Sequence, residues 1–109
     1  MQRGEVWWAE LAEPIGRRPV VLLSRDSTYK VRTSVTVAIV TRTIRNIPVE
    51  VRLDANDGMP QDCVVNLDTI VTIQKTRLLN RITSLSPQKM SAVSKAVIFA
   101  LDLKTVEYP

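Results

Sequence analysis

The chemistry open to this chain is bounded by what it lacks. It has 109 residues and no histidine. Histidine is the commonest general base, proton shuttle and metal ligand. Ser-His-Asp and Cys-His mechanisms are therefore excluded, as is histidine-paired ribonuclease chemistry. The single cysteine, Cys63, can form neither an internal disulfide nor a zinc cluster. Beside Val64 and Val65 it reads as a small apolar packing residue. Asp54 and Asp57 lie among turn formers and read as turn makers, not as metal ligands. Any catalysis rests on Arg, Lys, Thr, Ser, Asp or Glu.

One stretch places such a group on a rigid support: Gly16-Arg17-Arg18-Pro19-Val20-Val21-Leu22-Leu23-Ser24. Val20 to Leu23 is a continuous apolar run of buried-strand length. Pro19 opens it, where a strand tolerates a missing N–H. The residue before a proline is pushed toward extended geometry, which keeps Arg18 out of a helix. Gly16 lets the chain turn just ahead. A cation thus stands at the mouth of a buried strand, and a rigid element holds a site better than a loop does. Taken alone, Arg17 and Arg18 read equally as a solvated turn.

The elements around this stretch follow from pattern. Gly4 to Leu11 reads as a strand in which Trp7 and Trp8 face opposite ways, one into the core and one outward. Arg25 to Arg32 suits a turn or one helical turn. Thr33 to Thr41 is rich in β-branched residues and is the clearest strand. Arg42-Thr43-Ile44-Arg45-Asn46 then forms a basic, hydroxyl-bearing loop. Pro48 to Leu53 alternates as a half-buried strand does. Cys63 to Ile73 gives one long strand or two short ones, interrupted near Asp68-Thr69. Lys75 to Leu79 suits a helical turn and Asn80 to Leu85 a last strand.

Ser86-Pro87 opens the only long helix, with Ser as N-cap and Pro at the first position. Met90, Val93, Val97, Ala100 and Leu101 recur at helical spacing and form its packing face. Ile98, Phe99 and Leu103 widen that face. Deeper burial is the expected reason, with a subunit or partner contact as the alternative. Short strands and one terminal helix predict a mainly β, α+β domain spanning 1–109, built as a small curved sheet or barrel.

Hydrophobic residues make up 45% of the chain and charged residues 24%, as in an ordinary globular protein. The net charge of +4 and pI near 9.6 permit a nucleic-acid partner without demanding one. No apolar stretch approaches membrane-spanning length, and the N-terminus is not a signal peptide. A reducing cytoplasm is the expected compartment.

The order of these blocks resembles the MazF/PemK family of toxin ribonucleases over nearly the whole chain. The carrying residues are Arg3-Gly4-Glu5-Val6-Trp7-Trp8, the Gly-x-Arg-Pro-hydrophobic block at 16–24, Val37-Ala38-Ile39-Val40-Thr41, and Asn66 to Leu78. The resemblance implies an SH3-like barrel with a terminal helix. It implies a homodimer that cuts single-stranded RNA without a metal or other cofactor, leaving 2′,3′-cyclic phosphate and 5′-OH ends. It also implies a cognate antitoxin, an acidic and partly disordered segment lying in the dimer groove. The family's catalytic positions fall on Arg18 and Thr41.

A guanidinium can bind two phosphate oxygens at once and stabilise charge that builds in a transition state. It is a poor base, because arginine ordinarily keeps its proton. Arg18 is thus expected to act as clamp and proton donor, and Thr41 to hold a phosphate oxygen. Arg17, Arg42 and Thr43 are the expected RNA contacts at the rim, with Asp68 and Thr69 as partners for a base. A solvated loop is the competing reading for Arg42 and Arg45. The family's loop before Gly-x-Arg-Pro is usually longer; here only Glu13-Pro14-Ile15-Gly16 remains, which shifts base reading toward Arg42 and Thr43.

Two further functions stay open on the sequence. One is a DNA gyrase poison on the same fold, which acts through a C-terminal helix ending in Trp-Gly-Ile. Val106-Glu107-Tyr108-Pro109 here, with the Arg-Pro and Thr positions kept, counts against it. The other is a non-catalytic RNA-binding module using an outward tryptophan.

Overall fold

The computed structural model describes residues 1–104. Six strands form a single sheet: β1 (Glu5–Glu10), β2 (Arg17–Leu22), β3 (Ser34–Thr41), β4 (Glu50–Leu53), β5 (Cys63–Gln74) and β6 (Leu78–Ser84). One helical turn, α1 (Thr28–Val31), lies between β2 and β3, and α2 (Pro87–Ala100) follows β6. The strand order is β4-β5-β3-β2-β1-β6, and every neighbouring pair is antiparallel. Val106 to Pro109 lies outside the described residues.

The central strands are buried on both faces, which is why they read as unbroken apolar runs rather than alternating ones. Val21, Ala38, Val40 and Val65 belong to one core cluster, together with Val93 and Ala96 of α2. Val20, Leu22, Val37 and Ile39 belong to the other, with Tyr29 of α1. Each fully buried valine or leucine stabilises the fold by about 1.5–3 kcal/mol relative to exposure.

Register slips bend this sheet into a half-barrel. β5 carries a bulge: Ala38 pairs with Ile70 but Ile39 pairs with Asn66, so Leu67, Asp68 and Thr69 are extra on β5. The expected interruption at Asp68-Thr69 is therefore a bulge inside one long strand. β1 and β6 slip between Val6 and Trp7 and again between Trp8 and Ala9. Such irregularities raise local twist and curl a sheet.

The two edges then meet through side chains, not through a ladder. Thr83 Oγ1 on β6 donates to the Asp57 carbonyl, at 2.9 Å, in the turn after β4. Gly58 follows with φ +89°, and a Cβ there would press on Thr83. Asp54 and Asp57 build that turn, as expected. The Asp54 carboxylate accepts from Asn56 N (2.8 Å), and Asp57 Oδ2 accepts from Asp54 N (2.9 Å).

α2 starts as read: Ser86 Oγ accepts from Lys89 N at 3.1 Å, and Pro87 takes the first turn. Val93 and Ala96 are buried, and Met90, Ala92, Val97 and Ala100 pack partly. The expected burial at the helix end does not occur. Ile98, Phe99, Leu101 and Leu103 are exposed, Phe99 by 60%. Ile98 and Phe99 fall on the side of the helix turned away from Val93, Ala96 and Val97, and Leu101 and Leu103 follow its last turn. β6 also begins at Leu78, two residues before the expected Asn80.

Candidate active site

β2 and β3 bring two distant side chains together. Their pairing runs Leu22↔Val37, Val21↔Ala38 and Val20↔Ile39. Beyond Val20↔Ile39 the two strands lead to Arg18 and Thr41 at their ends. The ladder stops before reaching them. The strands part there and open a cavity of about 820 Å³. Arg17, Arg18, Thr41, Arg42 and Thr43 line it. Trp8, Pro19, Val40, Met59 and Cys63 also line it, and Pro60 and Gln61 complete one side.

Local sequence explains why these groups are held. Gly16 turns the chain into β2 with φ +68°, a backbone region few side-chain-bearing residues adopt. Leu11 N donates to the Gly16 carbonyl at 3.0 Å and closes the short β1–β2 connection. Arg18 NH1 donates back to the Arg17 carbonyl at 3.1 Å, which anchors one end of its guanidinium. Thr41 Oγ1 accepts from Thr43 N at 3.2 Å. With that lone pair engaged, the Thr41 hydroxyl proton remains free to donate.

The charges are unevenly matched. Arg17 Nε stands 3.5 Å from Glu10 Oε2, an exposed pair of small energetic weight. Among the ion pairs of the described residues none involves Arg18 or Arg42. Arg42 NH1 donates instead to a neutral acceptor, Gln61 Oε1, at 3.0 Å. Two guanidinium groups uncompensated by carboxylates, beside a free hydroxyl donor, make a site for an anion with several oxygens.

Cys63 is buried with the core, as its neighbours predicted, and also touches the cavity. Burial first, then the charges of Asp62, Asp57 and Asp54, pushes its thiol up from the usual value. A thiol kept protonated is a weak nucleophile. Among the described residues no three Cys, Asp or Glu side chains cluster as metal ligands.

Of the residues expected at the site, Arg18, Thr41, Arg17, Arg42 and Thr43 meet at the cavity. Asp68 and Thr69 are not part of its lining. They sit in the β5 bulge, away from the end of β3, where Thr41 pairs with Val64. Asp68 N donates to Asn66 Oδ1 at 2.9 Å, a local bond that shapes the bulge. Sequence reasoning missed Trp8 as a lining residue, and missed Met59, Pro60, Gln61 and Cys63 altogether. Met59 and Pro60 are legible only as loop. They reach the cavity because β5 lies beside β3 and not beside its sequence neighbour β6.

Comparisons with known proteins place the whole chain. The chain is 44% identical over 101 residues to "Probable endoribonuclease MazF5" of Mycobacterium tuberculosis, covering 92% of each. It is 35% identical to an endoribonuclease MazF of Staphylococcus saprophyticus, covering 97% of this chain and 95% of that one. Among solved structures it superposes on the M. tuberculosis toxin MazF-mt6 with a TM-score of 0.85 at 34% identity, over 93% of this chain and 99% of that one. A mycobacterial endoribonuclease in complex with its cognate antitoxin gives a TM-score of 0.86 at 26% identity, over 97% and 99%. Among the described residues no helix is long and apolar enough to cross a membrane. With residues 2–101 matching the family's pattern, the chain belongs to the PemK-like, MazF-like toxin family of type II toxin–antitoxin systems.

Proposed function

We infer that this chain is an endoribonuclease toxin that cuts unpaired RNA by transesterification, with Arg18 and Thr41 as its catalytic residues and no metal in the reaction. The observation that carries the reading is the meeting of an uncompensated Arg18 guanidinium and a donating Thr41 hydroxyl at one strand-end cavity. In this reaction the ribose O2′ gives up its proton to solvent and bonds to phosphorus. The P–O5′ bond breaks. The products are a 2′,3′-cyclic phosphate and a 5′-OH.

Arg18 binds the non-bridging oxygens, where charge accumulates, and its free N–H side supplies the proton to the leaving O5′. Donors aimed at developing charge are worth most in a partly dry cleft. Thr41 donates its hydroxyl to a phosphate oxygen. Arg42, Arg17 and Thr43 hold the strand on either side. Asp68 and Thr69, outside the cavity lining, remain candidates for contacts further along the strand.

The working species is a homodimer. Its support here is the exposed apolar end of α2, formed by Ile98, Phe99, Leu101 and Leu103. An acidic antitoxin segment silences the toxin by occupying the basic groove in place of RNA. The cytoplasm, where messenger RNA is available, is the site of action.

The test is purified protein with a long unstructured RNA in excess EDTA, beside Arg18→Ala and Thr41→Ala, with fragment ends mapped. Discrete cuts with cyclic-phosphate ends, lost in both variants, are expected. RNA bound but intact in every lane would make the protein a binding module. Intact RNA together with loss of gyrase supercoiling would make it a gyrase poison.

A further inference from the structure

The two adjacent tryptophans have different fates. Trp7 is committed to the scaffold. Its indole N–H donates to Glu5 Oε1 at 2.9 Å, and its ring packs against the core cluster on the α1 side of the sheet. Trp8 faces the other way, as strand alternation requires. It is only partly buried, it sits opposite Pro19 across the β1–β2 ladder, and it lines the cavity with Arg18 and Thr41. Met59 and Pro60 add further apolar surface to the same lining.

This cavity therefore has two chemistries in one space. Trp8, Met59 and Pro60 make part of its lining aromatic and aliphatic, and Arg18, Arg42 and Thr41 supply cations and a hydroxyl to the same lining. A phosphate alone matches the cations and leaves the apolar surface wet. A nucleotide matches both, with its anion on the cations and a flat ring on the apolar surface. The volume of about 820 Å³ exceeds what one phosphate fills and lies in the range of small-ligand pockets.

We propose that Trp8, with Pro19 beside it on the neighbouring strand, is a stacking platform that seats the nucleobase next to the scissile phosphate. The proposal rests on the RNA-cleavage reading and adds a substrate-binding residue to it. Every base has a π-face, so the platform supplies affinity and sets the register of the strand against Arg18, while Arg42 and Gln61 of the same lining read the base edge.

The experiment uses Trp7→Phe, which leaves Trp8 as the only tryptophan, and a short RNA spanning the mapped cut site. A 2′-O-methyl group on the ribose 5′ of the scissile phosphate blocks attack. Binding is expected to quench Trp8 fluorescence, and an abasic nucleotide at one of the two positions flanking the scissile phosphate is expected to abolish the quench. In cleavage assays that same abasic substitution, and separately Trp8→Ala, should each raise KM on the order of 10- to 100-fold with kcat little changed. Combining the two should cost little more than either alone, and Trp8→Phe should recover most of the affinity.

An unquenched Trp8 in an RNA-bound complex overturns the platform. So does an unchanged KM in a folded Trp8→Ala that still cuts RNA. If Trp8→Ala fails to fold, the abasic series read by Trp8 fluorescence decides the matter alone. Wild-type protein that neither cuts nor binds RNA overturns the platform and the underlying function together.

Discussion

The strand-end cavity and the far end of α2 are both unfinished surfaces, in opposite senses. At the cavity, charge is left unmatched on a rigid support: among the described residues no carboxylate pairs with Arg18 or Arg42, and the Thr41 proton is free. At the helix end, apolar groups are left without cover: Phe99 is 60% exposed and Leu101 55%. Uncompensated donors on fixed backbone cost stability and serve a ligand that arrives charged. Uncovered apolar side chains serve a macromolecular surface that removes them from water. The first region asks for chemistry and the second for assembly. They lie on separate elements, so each can be altered without the other.

The largest effect expected is at the cavity. Arg18→Ala should lower kcat on the order of 10³-fold, and Arg18→Lys should restore little, because an ammonium cannot hold two phosphate oxygens in one plane. Single-turnover cleavage of the mapped site measures this. Thr41→Val should cost on the order of 10²-fold while leaving unfolding by urea almost unmoved, since Thr41 is at a strand end with an accepting bond only to Thr43 N. A loss of stability matching the loss of rate would show that Thr41 is a structural residue.

The helix end gives the converse result. Phe99→Glu with Leu101→Glu should shift the mass in solution from dimer toward monomer at micromolar concentration, with the isolated chain's secondary structure unchanged. A dimer that survives both charges would place the interface elsewhere. On the buried side of the same helix, Val93→Ala should lower stability by about 2 kcal/mol, because Val93 is fully buried between α2 and the sheet. Together these substitutions separate the packed face of α2 from its uncovered one.

The smallest effect concerns alkaline stability. Tyr29 donates to the Ser24 carbonyl at 2.9 Å, and burial, reinforced by the charge of Asp26, pushes it up from 10.0 to about 12. The fold therefore favours the neutral phenol. Its contribution is fully present below the unfolded value, near pH 10, and is lost as pH rises toward about 12. Urea midpoints between pH 9 and 12 should fall more steeply in the wild type than in Tyr29→Phe. Equal slopes would mean that Tyr29 does not carry the alkaline decline.

Much of this protein was legible in its residue order, because the features concerned are local. The Ser86-Pro87 helix start, the β-branched run to Thr41 and the Arg18-Pro19 strand opening each depend on neighbours a few positions away. The whole-chain order of blocks carried the family, and with it Arg18 and Thr41 as the pair to examine. One expectation turned on distant contacts and went otherwise: the apolar end of α2 was expected to be buried, yet Ile98 and Phe99 fall on the side of the helix turned away from its packed face. Asp68 and Thr69 sit in the β5 bulge, outside the cavity lining.

Local chemistry along the chain decides which segments extend, where they turn, and that an arginine stands at the head of a buried strand. Register and curl belong to the folded state. They bring Arg18 and Thr41 to one cavity with Met59, Pro60, Gln61 and Cys63, and give one tryptophan to the core and its neighbour to that cavity. A side-chain pattern repeats every two residues and so specifies a face. Which strand lies alongside, and how far the sheet bends before its ladder opens, depends on contacts between residues far apart in sequence.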